Sequence, residues 1–291
     1  MPGYEDAERR RRIFALFDAV WRDLSQRIEL AAALGARWTD VSTPFVALAG
    51  DEVVAHVGVL AIPLVLEGTR TTVAGIHGVG THPAHRRRGH IRRLLGEALA
   101  FCDERFETAQ LTTSVPEVFR PHGFRSIPQH RFDVAVPAAR EGAGMTRLHH
   151  TNAADVTLLS RLLQTRAPVS SRLGVVEPGW LFVIDEIFAQ RNLERVHYIP
   201  DLDAAVVLEI DGSTARLYDL VAPRLPRLDA VLRRLPAGVQ RAELYFTPDA
   251  LDSAEVLSVA PAWPGDHVMV RGPYAPERTG LPFILPALAH C

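Results

Sequence analysis

The 291 residues carry a formal net charge of −2, and all 32 basic residues are Arg, against 34 Asp and Glu, so there is no basic surplus to drive nucleic-acid binding. Hydrophobic content of 47% suffices for buried cores, but no apolar run approaches the ~20 residues that cross a bilayer, and the N-terminus lacks the apolar stretch of a secretory signal. Two cysteines, Cys102 and Cys291, make neither a disulfide framework nor a zinc site, so a cytoplasmic protein of about two domains without a metal is expected, and Arg-only usage suggests a GC-rich bacterial genome.

In chain order, Ala7 to Gly35 reads as a helix, with Ile13, Phe14, Phe17, Val20, Trp21, Leu24 and Ile28 on one side. Phe45 to Ala49 reads as a strand that turns at Gly50-Asp51. Val53 to Leu66 and Arg70 to Thr81 form a long antiparallel pair around Glu67-Gly68-Thr69. The run from Val79 to Ile91 then gives a strand end, a basic turn of Arg86, Arg87 and Arg88 closed by Gly89, and the first turn of a helix. That helix is marked by Ile91, Leu94, Leu95, Ala98, Leu99 and Cys102 on one stripe. A helix start has unpaired amides and an electropositive dipole end, so with three arginines the turn becomes a cradle for a phosphate or pyrophosphate. A solvated helix face is the plainer alternative. Ala109 to Ser114 is a short strand, Pro116 to Pro121 a helical turn, and Phe124 to Val136 another strand.

This order of elements, with Arg86, Gly89 and Ile91 at an Arg-x-x-Gly-x-Gly/Ala pattern, resembles the GCN5-related N-acetyltransferase (GNAT) superfamily. The resemblance implies an α/β fold with a mixed sheet over residues 1–136, binding acetyl-CoA through Arg86, Arg87, Arg88, Gly89, His90 and Ile91. It also implies that backbone atoms of Val79 and Thr81 pair with the pantetheine arm. Ile91 stands where the family has a small residue, which loosens the approach of the pyrophosphate.

Residues 137–150 read as a linker, and 151–291 start again with two helices, near Ala153 to Thr165 and Gly179 to Gln190. A hairpin around Asp211-Gly212-Ser213 follows, then a helix at Leu225 to Leu235 and strands at Gln240 to Phe246 and His267 to Val270. Pro223 and Pro226 stand where the phosphate turn would be and remove amides, so this half reads as a degenerate second GNAT-like domain. Tandem domains of this kind are similar to the enhanced-intracellular-survival type acetyltransferases, whose additional third domain a chain of this length is too short to hold.

Leu111 to Phe124 resembles the second family motif, which ends Tyr-x-x-x-Gly-Phe/Tyr. Its Tyr commonly protonates the departing thiolate, and here the position is Phe119. A thiolate of pKa ~8.5 is a tolerable leaving group, so loss of the acid slows transfer without abolishing it; Ser114 or a water is the substitute. Histidine suits the general base. His77 leads, sharing a strand face with Val79 and Thr81, then His122, with His82 and His85 also near. The survival-type enzymes use a C-terminal carboxylate, which here would be that of Cys291. Asp18, Asp23, Glu29 and Glu117 are the carboxylates expected to draw an amine. The function implied is acetyl transfer from acetyl-CoA to a small-molecule or peptide amine. A non-catalytic acyl-CoA sensor and a GNAT-fold enzyme with another acyl donor or reaction stay open, as does homo-oligomerisation.

Overall fold

A computed structural model describes residues 3–141, 144–176, 179–252 and 256–290. The chain opens with α1 (Ala7–Val20) and α2 (Leu24–Ala33), where one continuous helix is expected. Trp21 is extended and Asp23 is left-handed at φ 58°, and these two residues turn the chain between the helices. Asp6 caps α1 by accepting from the amides of Glu8 and Arg9. A short α3 (Trp38–Val41) leads to β1 (Ser42–Ala49), then β2 (Glu52–Leu66) and β3 (Thr69–Thr81) pair antiparallel along most of their length. α4 (His90–Asp103) follows the basic turn and buries Leu94, Leu95, Ala98, Leu99 and Cys102 on one face of the sheet. β4 (Ala109–Thr113) then runs parallel to β3.

The strand expected over Phe124–Val136 is two, β5 (Arg125–Ile127) and β6 (His130–Ala135). Pro128 has no N–H to continue the ladder, and the segment near the C-terminus takes over the pairing. Leu285 N–H donates to the Gln129 side-chain oxygen at 2.6 Å, and His130 N–H to the Phe283 carbonyl at 2.9 Å.

The remaining elements are β7 (Thr146–Arg147), α5 (Ala153–Thr165), β8 (Leu173–Val175), α6 (Trp180–Phe188), β9 (Val196–Ile199), β10 (Ala204–Asp211) and β11 (Thr214–Val221). After them come α7 (Leu228–Leu232), β12 (Arg241–Leu244), β13 (Val256–Pro261), β14 (His267–Arg271) and α8 (Ala275–Arg278). One sheet has the order β1-β2-β3-β4-β14-β5, with β8 beside β2; the other has β13-β6-β12-β11-β10-β9-β7.

The sheets therefore exchange strands. β14, from late in the chain, fills the place between β4 and β5, while β6 leaves the first half to pair with β12 and β13. The second sheet repeats a pattern of the first: an antiparallel hairpin, β10–β11 or β2–β3, whose second strand pairs parallel with the next, β12 or β4. Its connecting helix α7 has 5 residues where α4 has 14, and is shorter than the helix expected over Leu225–Leu235.

Candidate active site

β3 and β4 hold together at only two positions, Ala74↔Ala109 and Gly75↔Gln110. Beyond them the strands diverge, and Ile76 to Thr81 and Leu111 to Thr113 become opposite walls of a cleft of about 1110 Å³. Parallel strands that part leave main-chain N–H and C=O groups without a ladder, and such groups are receptors for an extended ligand.

A β-bulge shapes the β3 wall. The register with β2 shifts between His56 and Gly58, and Gly78 takes φ 56°, which an L side chain rarely adopts. The extra residue turns the chain over. His77 faces Trp38, with ring centroids 5.1 Å apart, while Val79 packs toward the core under α4. The expectation that His77 and Val79 share a face is therefore corrected, because period-two alternation fails across a bulge. Gly80 returns to the His77 side, where a Cβ would come within 2.6 Å of the Trp21 ring.

His56, which no sequence pattern singled out, holds this bulge. One ring nitrogen, Nδ1, lies 2.7 Å from the Gly78 carbonyl and the other, Nε2, 2.8 Å from the Tyr4 hydroxyl. A carbonyl only accepts, so Nδ1 carries the proton and Nε2 accepts from Tyr4. Burial pushes the pKa of His56 down to about 4. His77 Nε2 is 2.9 Å from Ser42 Oγ, and its ring lies on Gly58, where a Cβ would meet it at 2.4 Å. Burial, and then the neighbouring His56, lowers the His77 pKa to about 3. Both rings are neutral at pH 7.

At the other end of β3, Gly89 is the N-cap of α4 at φ 79°, with no side chain capping the helix. The first-turn amides thus remain for an anionic ligand. Arg86, Arg87 and Ile91 line the cleft along with Val79 and Thr81. Arg88 lies outside that lining and bonds the Ala84 carbonyl at 3.3 Å. His90 lies outside it too, and its Nε2 is buried without a partner.

Phe119 is buried against Phe124, edge to face at 6.1 Å, and borders the cleft. Ser114 is exposed and His122 half-buried, and neither is among the residues that line the cleft. His82 accepts from the Ala84 amide, stabilising the turn, and His85 is likewise outside the lining. Cys291 lies outside the described residues. Asp18, Asp23, Glu29 and Glu117 do not border the cleft either; Asp18 is occupied by the Ser25 amide and hydroxyl.

What sequence reasoning missed comes from far along the chain. α6 brings Trp180, Leu181, Ile184, Asp185 and Phe188 to the cleft lining, with Phe188 edge to face on Trp38, and His290 reaches it from the C-terminal segment. Asp185 is paired with Arg191 at 2.5 Å. The aromatic content of α6 was the visible signal, but nothing local says which sheet it covers.

Residues 6–127 match the family model described as an acetyltransferase (GNAT) domain. Among curated proteins none matches the chain. A conserved protein of unknown function from Enterococcus faecalis is similar in structure with a TM-score of 0.56 at 15% identity, over 94% of this chain and 72% of that one. A GCN5-related N-acetyltransferase from Anabaena variabilis is similar with a TM-score of 0.51 at 15% identity, over 86% of this chain and 66% of that one. At such identity the likeness is one of fold. The match to the family model covers residues 6–127, under half of the chain, and the first sheet of that segment is completed by β14 from beyond it.

Proposed function

We propose that the cleft binds acetyl-CoA along β3 and transfers its acetyl group directly to an amine, and that the chain is an N-acetyltransferase. The observation that carries this reading is the two-rung pairing of β3 with β4, which opens a slot beside a bulged strand and ends at an uncapped helix start. Amides at the start of α4, with Arg86 and Arg87, hold the pyrophosphate. Main-chain groups of Val79 and Thr81 hold the pantetheine arm, and the N–H at the bulge polarises the acetyl carbonyl. When bound, the thioester supplies an activated acyl carbon with a tolerable leaving group. Phe119 packs beside it and donates no proton, so the sulfur leaves as thiolate or takes a proton from the attacking nitrogen. His77, held at a pKa of about 3 by burial and bonded to Ser42, is too weak a base for an ammonium and lines the cleft as a neutral ring.

Phe119 favours a second reading, that the chain binds acyl-CoA without turning it over. One pair of measurements separates the two. A ligand at 100 times its dissociation constant adds about 2.7 kcal/mol to the native state, a rise in Tm of roughly 5–10 °C for a protein of this size. The rise should appear with CoA and acetyl-CoA and vanish in Gly89→Pro, whose fixed φ is incompatible with the left-handed cap; the double variant Arg86→Ala/Arg87→Ala should reduce it without touching the backbone. Mass analysis of products from acetyl-, propionyl- and malonyl-CoA with an amine panel then identifies donor and reaction. A Tm rise with no product from any donor leaves the sensor, and no rise at millimolar ligand removes both readings.

A further inference from the structure

We infer that the acceptor taken by this cleft is an amine on a flat apolar body, with its nitrogen delivered to Nε2 of His290. The inference rests on the transferase reading of the same site for its reaction, though its binding claim stands apart from turnover.

Three observations converge. The first is an orphan atom. His290 Nε2 is buried with no hydrogen-bond partner in a residue that lines the cleft. Its other ring nitrogen is engaged with the Leu285 backbone, which leaves Nε2 as a lone-pair acceptor. A buried acceptor without a donor costs free energy unless a ligand satisfies it, and an amine N–H does so. The ring is also anchored at the right place. Its edge packs on Trp263 at 5.2 Å, and the preceding carbonyl, of Ala289, accepts from the side chain of Gln110 at 3.0 Å. Gln110 is the last residue of β4 to pair with β3, so His290 stands where the strands begin to part.

The second observation is the composition of the chamber. Trp21, Trp38, Trp180 and Phe188 border it, and Trp38 meets Phe188 edge to face with centroids 6.1 Å apart, so the rings join into one aromatic lining. Leu24, Leu181 and Ile184 complete this lining. Aromatic faces bury apolar area and also attract a cationic nitrogen on entry, so an ammonium needs no carboxylate to be drawn in.

The third is the charge pattern. Asp185, the carboxylate among the described residues that border the cleft, is held by Arg191. Arg27 borders the chamber too, with its guanidinium donating to the carbonyls of Phe188 and Arg22. A cationic wall with its acid already paired rejects an acceptor carrying several positive charges.

In the step that follows, the ammonium loses one proton to water on entering the chamber, and the neutral amine donates an N–H to His290 Nε2, which aims the nitrogen lone pair at the acetyl carbon. That lone pair forms the N–C bond, the C–S bond breaks with its electron pair on sulfur, and one proton of the acylated nitrogen goes to that sulfur. Burial lowers the pKa of His290 to about 4, so Nε2 stays an unprotonated acceptor at pH 7.

The experiment uses the full chain with CoA present and measures binding of tryptamine and of butane-1,4-diamine by calorimetry, with acetylation of each followed by mass. Tryptamine should bind about tenfold or more tighter, the discrimination that 1.4 kcal/mol of apolar contact gives. Trp180→Ala should erase the preference and Trp180→Phe keep most of it, while His290→Gln should lower kcat for tryptamine more than it raises KM. Equal or reversed preference, or an unaltered kcat in His290→Gln, overturns the inference. Acetylation of the diamine without aryl preference does so too, and leaves the transferase reading intact. Tight tryptamine binding without acetylation upholds the binding claim and removes the transferase reading.

Discussion

The Nδ1–H of His56 donates to the carbonyl of Gly78 at 2.7 Å, so a side chain on β2 fixes a carbonyl within the bulge of β3. The bond joins the fold to the site, since the bulge decides which residues of β3 face the cleft. Replacing His56 by Leu leaves that carbonyl buried without its side-chain donor and removes one of the partners of the Tyr4 hydroxyl. The expected cost is about 1–3 kcal/mol in denaturant unfolding, with a fall in kcat/KM larger than the change in CoA affinity. Unchanged kinetics in a destabilised variant would restrict His56 to a structural role.

The same two histidines make stability depend on pH. His56 and His77 have folded pKa values near 4 and 3, depressed by burial from about 6.5 in the unfolded chain. The unfolded state therefore binds protons first, and the stabilisation is complete above pH 6.5 and lost as pH falls toward 4 and then 3. Thermal unfolding between pH 7 and pH 4 should show Tm falling, and the fall should be shallower in His56→Gln. A flat profile would mean that the rings titrate normally.

Gly58 is held small by His77. A methyl at this position would stand 2.4 Å from the imidazole, so Gly58→Ala should push the ring from Ser42 toward the cleft and reduce amine turnover. CoA binding, at the far end of β3, should change little. A Tm rise with CoA equal to that of wild type, beside a kcat at least about tenfold lower, is the expected pattern; tenfold corresponds to 1.36 kcal/mol in the barrier.

Phe119→Tyr restores a proton donor at a position bordering the cleft and packed on Phe124. A phenol beside the leaving sulfur should raise kcat by about tenfold or more, below the 10²–10⁴ of an evolved general acid. A fall in kcat would place the thioester elsewhere in the cleft.

Separating the chain at its linker should abolish folding of the first half. Residues 1–136 lack β14, which pairs with β4 from His267↔Thr113 to Arg271↔Ala109 and with β5 beside it. Without it β4 has an open edge and β5 loses its partner strand, and the fragment is expected to aggregate or show no cooperative transition. A folded, CoA-binding fragment would show β14 to be dispensable.

Local signals in the sequence carry far, then stop at identifiable points. The β2–β3 hairpin, the basic turn and α4 were legible because periodicity, turn glycines and caps act within a few residues. His77 was found, but its direction was misread, since a bulge of one residue leaves no mark in an alternating pattern other than the crowding of Gly75, Gly78 and Gly80. His122 and Ser114 were drawn in by proximity along the chain and lie outside the cleft. Trp180, Phe188 and His290 were not reached at all. Their places follow from packing between halves, which depends on which sheet each strand joins, and β6 and β14 each join the sheet of the other half.

The position of β14 also sets a timetable. Its Met269 pairs with Ser126, so at translation rates of about 5–20 residues per second the gap between β4 and β5 stays open for about 7–29 s on the ribosome. During that interval the nascent first half exposes two strand edges and an unfinished cleft. The first sheet can close only after β14 has been made, so a nascent-chain chaperone has a long window in which to engage, and any message broken before that strand yields a polypeptide for the proteases.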